Sequence, residues 1–115
     1  MISEELAKYC AAYATEKQAE GVVGLDLRGI STFTDFFVIC SGASEPQLKA
    51  IASAITEGLR DDHNVKPVAV DGYPLSQWLV LDYGSVVVHI FHQIKRDLYS
   101  LEDLWSDAPR LKLPE

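Results

Sequence analysis

A chain of 115 residues, 48% hydrophobic, is long enough to bury a real core and short enough to hold one domain. Its formal net charge is −7, and its ten Lys and Arg residues are dispersed, adjacent only at Lys95-Arg96. That leaves no basic stripe to follow a phosphate backbone and argues against direct, dominant nucleic-acid binding; nor does any apolar run approach a membrane span.

From the N-terminus, Ser3 reads as an N-cap, with Glu4 and Glu5 in the first turn favouring the helix dipole. Leu6, Tyr9, Cys10, Tyr13 and Ala14 recur at helical spacing as one apolar stripe, and Gly21 is the expected stop. Val22 to Arg28 reads as a short strand and Gly29 to Thr34 as a loop. Phe36 to Cys40 is a continuous apolar run suited to a central strand covered on both faces. Ser44 and Gln47 then form a capping box, with Glu45 and Pro46 in the first helical positions. Leu48, Ile51, Ala52, Ile55 and Leu59 mark an amphipathic helix ending near Asp61 to Asn64, and Val68 to Val70 is a short strand closed by Asp71-Gly72 and the Tyr73-Pro74 break.

Gln77 to His92 carries two β-branched, apolar runs around Asp82-Tyr83-Gly84-Ser85, the pattern of a hairpin. With Tyr83 and Gly84 as turn residues, Asp82 opposes Ser85, Leu81 opposes Val86 and Leu79 opposes Val88. Together with Ile90 these form an aliphatic face that belongs in a core. Trp78, Val80, Asp82, Val87, His89 and Phe91 share the other face, whose mixture fits a binding surface or a helix-covered sheet equally well. His89 is then the cross-strand partner of Trp78. Beyond the hairpin, Ser100 is an N-cap candidate, Leu101, Leu104 and Trp105 share a helical face, and Pro109 ends the element.

Catalytic chemistry finds little support. His89 and His92 are three apart on a strand, point to opposite faces and cannot converge on a metal. Cys10 and Cys40 lie within apolar periodicities and read as small buried hydrophobes of a reducing compartment. The acidic N-terminus lacks the start of a signal peptide, so the expected location is cytoplasmic. Ser41-Gly42-Ala43-Ser44, between a strand and a helix, has the placement of an anion cradle or a nucleotidyltransferase turn. That chemistry needs paired carboxylates on a following strand to hold divalent cations; Val65 to Val70 has no acid, and Val86 to Phe91 offers only His89. Ser41, His89 and Asp35 have no spacing specific to a hydrolase.

Four stretches together resemble a known family: Thr34 to Gly42 with Ser44 and Gln47, Trp78 to Gly84, Val86 to Phe91, and Arg96 to Ala108. In this order they resemble the ribosomal silencing factor family, also called Iojap-related or RsfS. Ser85 departs from it where an acid is frequent, and Asp71 stands before Gly72 where Glu is common.

The resemblance implies one compact α/β domain over residues 1–115, core about 6–108, with a mixed sheet of about five strands and packed helices, a degenerate nucleotidyltransferase-like fold. It implies no catalysis, cofactor or metal. Members bind the large ribosomal subunit through large-subunit ribosomal protein fourteen, block joining of the small subunit and lower translation when nutrients are short; organellar members are tied to large-subunit assembly, and a homodimer in the free state is plausible. The expected contact residues are Trp78, Val80, Leu81, Asp82, Tyr83, Val87 and His89, with Tyr99, Leu101, Leu104 and Trp105 assigned to packing. An assembly factor, or an enzyme using the Ser41–Ser44 turn, are the competing expectations.

Overall fold

In the computed structural model, which describes residues 1–72 and 77–113 apart from the side chains of Leu98 and Tyr99, the run Phe36–Gly42 is a strand in which every residue is buried. It is the second strand (β2), and the first, Glu20–Asp26 (β1), pairs antiparallel with it. Ala69–Asp71 (β3), Trp78–Asp82 (β4), Val86–His92 (β5) and Arg110–Leu111 (β6) complete a six-stranded sheet in the order β3-β4-β5-β2-β1-β6. β2 and β5 run parallel, while the other described pairs are antiparallel, so the sheet is mixed. The Tyr73-Pro74 break lies outside the described residues.

Two helices cover one face, Ser3–Glu16 (α1) and Glu45–His63 (α2). Leu6, Ala7, Cys10, Ala11 and Ala14 of α1 and Leu48, Ile51, Ala52, Ile55 and Leu59 of α2 are buried against Phe36, Val38, Cys40, Leu79, Leu81, Val86, Val88 and Ile90. Each such large aliphatic side chain contributes about 1.5–3 kcal/mol through its removal from water. Ser3 is not the cap of α1. The helix opens on extended Ile2, whose carbonyl accepts from Leu6 N at 3.0 Å, and Glu4 and Glu5 compensate the open N–H groups. Nor does Gly21 stop it: Gln18 takes the left-handed conformation (φ 62°), whereas Gly21 (φ 55°) sits inside β1 where its register with β2 shifts.

The α2 cap forms with one change of partner. Ser44 Oγ accepts from Gln47 N at 3.3 Å, but Gln47 Oε1 accepts from Ala43 N at 2.7 Å rather than from Ser44. Gln47 Nε2 donates to Gln18 O at 3.1 Å, tying the start of α2 to the turn after α1. Asn64, left-handed at φ 55°, ends the helix.

The second face buries Leu25, Leu27, Phe37, Ile39 and Phe91 beneath the C-terminal segment, where Leu101, Trp105 and Ala108 pack. That segment comprises Gln93–Tyr99 (α3), capped by His92 Nδ1 accepting from Ile94 N at 3.3 Å, and the single turn Leu101–Leu104 (α4). Ser100 is left-handed (φ 47°), places no side-chain cap on α4 and donates its hydroxyl back to the Asp97 carbonyl. Leu104 does not pack. It is 71% exposed, because the turns after α4 carry Trp105 and Ala108 to the sheet instead.

Candidate functional site

The hairpin β4–β5 forms with its faces as expected and its register displaced. Asp82 Oδ1 accepts from Gly84 N at 2.7 Å, and Tyr83 N donates to Val86 O at 2.8 Å, so the tight turn is Gly84-Ser85 rather than Tyr83-Gly84. Gly84 has a φ of 82°, which suits a residue without Cβ. Leu81 therefore opposes Val88, Leu79 opposes Ile90, Asp82 opposes Val87, and Trp78 opposes Phe91 instead of His89. Each partner moves by two residues, which preserves the alternation, so no side chain changes face.

The seven expected contact residues divide accordingly. Leu81, fully buried, and Tyr83, 8% exposed, point into the core under α1 and α2 and are not displayed on the face that carries Trp78. Trp78, Val80, Asp82 and Val87 are half-buried on the opposite face. His89 lies beneath them, and its Nδ1 accepts from Trp78 Nε1 at 3.2 Å. Trp78 stacks on Phe91 at 4.9 Å between ring centroids, and Phe37 meets His89 edge-on at 4.5 Å. Burial pushes the His89 imidazolium down to about 4, so the ring is neutral near pH 7.

Next to this aromatic cluster, Asp71 of β3 pairs with Val80 and Ala69 pairs with Asp82, and both β3 residues are exposed. Two carboxylates, Asp71 and Asp82, thus flank Val80. Sequence reasoning left Asp71 out of the site, since only the β3–β4 register brings it there.

The other candidate chemistries are accounted for by internal contacts. Ser41 is buried, donates to Glu20 O at 3.3 Å and accepts from Arg96 Nη1 at 3.3 Å. Burial pushes the free thiols of Cys10 and Cys40 up to about 12, far from a reactive thiolate. Among the described residues no three His, Cys, Asp or Glu side chains gather as metal ligands. A hollow of about 180 Å³ is lined by Arg96, Asp97, Ser100, Glu102, Asp103 and Arg110, with Arg96 and Glu102 already paired to each other. No described helix is long and apolar enough to cross a membrane.

Fold and site together define a small α/β domain that presents an aromatic and acidic face on the β4–β5 hairpin. The chain belongs to the RsfS family: the model for "Ribosomal silencing factor during starvation" matches residues 1–115. It is 40% identical over 113 residues to ribosomal silencing factor RsfS of Halalkalibacterium halodurans, covering 98% of this chain and 96% of that one. With RsfS of Bacillus subtilis it shares 39% identity over 109 residues, 95% of this chain and 92% of the other. The fold is similar to a crystal structure of a Chromobacterium violaceum protein, with a TM-score of 0.87, 26% identity and coverage of 92% and 88% of the two chains.

Proposed function

We propose that this protein binds the large ribosomal subunit through large-subunit ribosomal protein fourteen and, seated there, blocks joining of the small subunit and represses translation. The observation that carries this reading is the face formed by Trp78, Val80, Asp82 and Val87, half-exposed on a rigid hairpin in a chain of the silencing-factor family. Trp78 is an anchor of the type that dominates interface energetics, held at one edge by its stack on Phe91. Val80 and Val87 widen the apolar area, while Asp71 and Asp82 complement basic side chains of the partner. The net charge of −7 steers the domain toward a basic protein and away from bare RNA.

The mechanism is occlusion. It acts one to one, in the cytoplasm, and needs no cofactor, metal or bond-breaking step. Internal pairing of Ser41 and the raised thiols of both cysteines support the non-catalytic reading.

Co-sedimentation with isolated large and small subunits tests the proposal. Saturable binding to large subunits alone is expected, weakened by at least about 2 kcal/mol in Trp78→Ala, the usual threshold of a hot spot. Binding confined to precursor particles would favour an assembly role, and no binding to either subunit would overturn the reading.

A further inference from the structure

We infer that His89 is a positioning residue: by keeping Nδ1 unprotonated as an acceptor, it fixes the orientation in which the Trp78 indole is presented on the hairpin face. The inference rests on the reading of that face as the ribosome-binding surface, and deepens it by naming what preorganises the anchor.

The indole N–H can only donate, so the 3.2 Å contact from Trp78 Nε1 to His89 Nδ1 requires Nδ1 to carry no proton. The neutral ring then bears its hydrogen on Nε2, which is buried and meets no hydrogen-bond partner among the described residues. An orphan buried donor is costly, and an apolar side chain of similar size would avoid it. Packing alone therefore does not account for an imidazole at this position, whereas the acceptor at Nδ1 does. The geometry agrees. His89 opposes Val80 on β4, and Trp78 lies two residues along, so the indole reaches His89 diagonally while stacking on its direct partner Phe91. His89 is itself immobilised, 7% exposed, edge-on to Phe37 and stacked along Phe91 with centroids 6.3 Å apart. A caged acceptor of this kind restricts rotation of a half-exposed Trp ring, and restriction before binding removes an entropic cost at the moment of association.

Two readouts on the full chain test this: the indole ¹H–¹⁵N resonance of Trp78, assigned by its loss in Trp78→Phe, and affinity for isolated large subunits. His89→Asn places a side-chain oxygen near the position of Nδ1, whereas His89→Leu removes the acceptor. His89→Gln sets its polar end near Nε2 instead, and stands in for His89→Leu if that variant does not fold. His89→Leu is expected to move the indole resonance, speed its hydrogen exchange and weaken binding about tenfold. His89→Asn keeps the resonance, and its binding stays within about threefold of wild type. In a Trp78→Phe background, which lacks the donor, His89→Leu costs less than about twofold. An unmoved indole resonance, or equal losses in both backgrounds, would overturn the inference. If the wild-type protein does not bind large subunits, the functional reading of the face falls, and the indole resonance still decides whether His89 holds Trp78.

Discussion

The guanidinium of Arg96 forms a two-pronged ion pair with Glu102, Nε to Oε1 at 2.9 Å and Nη2 to Oε2 at 3.2 Å. Its third nitrogen, Nη1, reaches the Glu20 carbonyl at 3.2 Å and Ser41 Oγ at 3.3 Å. One side chain thus joins α3, the start of α4, β1 and β2. It fastens the C-terminal segment that covers Phe37 and Ile39, and its anchor Ser41 lies in the same row of the sheet as Trp78, with Phe91 between them.

Arg96→Ala should accordingly cost about 1–3 kcal/mol, the range for losing charge-assisted hydrogen bonds in a partly buried pair, because Glu102 and the Glu20 carbonyl lose their partner. Urea unfolding measures the cost. Loosening of the segment should also shift Trp105 emission to the red while α1 and α2 retain their circular dichroism. A change below about 0.5 kcal/mol would assign the pair to the solvated surface.

Acid should destabilise the fold in two steps. Burial lowers the His89 pKa from 6.5 to about 4, so between these values the unfolded chain binds a proton that the folded chain refuses. Stability is full above pH 6.5 and falls as pH drops toward 4, by up to about 3 kcal/mol. Glu102, whose carboxyl is held below its ordinary range by the hydrogen bond from Arg96, adds a further loss at lower pH as it becomes protonated. Urea titrations near pH 7 and about pH 5 isolate the first step, which His89→Asn should flatten. An equal slope in that variant would assign the transition to other groups.

Asp82 has two roles that one substitution separates. Its Oδ1 closes the turn by accepting from Gly84 N, and its charge lies on the hairpin face. Asp82→Asn keeps an oxygen for the turn and removes the charge. Thermal stability should stay within about 0.5 kcal/mol. Large-subunit association at low salt should slow by about two- to tenfold, with a weaker dependence on ionic strength. An unchanged salt dependence would remove Asp82 from the contact.

What the sequence disclosed follows the strength of local signals. Phe36 to Cys40 has one reading, a strand covered on both sides, and β2 is that strand. The period of Leu48, Ile51, Ala52, Ile55 and Leu59, with Ser44 and Gln47 ahead of it, likewise leaves little choice for α2. The two faces of the hairpin were legible because strand alternation survives a displacement of two. The register was not, since it depends on whether the Asp82 carboxylate captures Gly84 N–H. Tyr83 was misread as a turn residue for that reason, and Leu81 already stood on the aliphatic side of the alternation. Arg110–Leu111 pairs with Gly24 and Leu25 only through tertiary placement, and a two-residue strand leaves no periodic trace. Ser100 has the composition of an N-cap but the backbone of a left-handed break.

The central claim is that occupation of the large subunit by the Trp78 face prevents association with the small subunit. Its most direct measurement is light scattering of purified subunits mixed at constant magnesium, with increasing wild-type protein or Trp78→Ala added to the large subunit first. The account predicts that association falls in proportion to bound wild-type protein and saturates near one copy per large subunit, while the folded variant requires a concentration about thirtyfold higher. Full association at saturating occupancy, or equal inhibition by the variant, would contradict it.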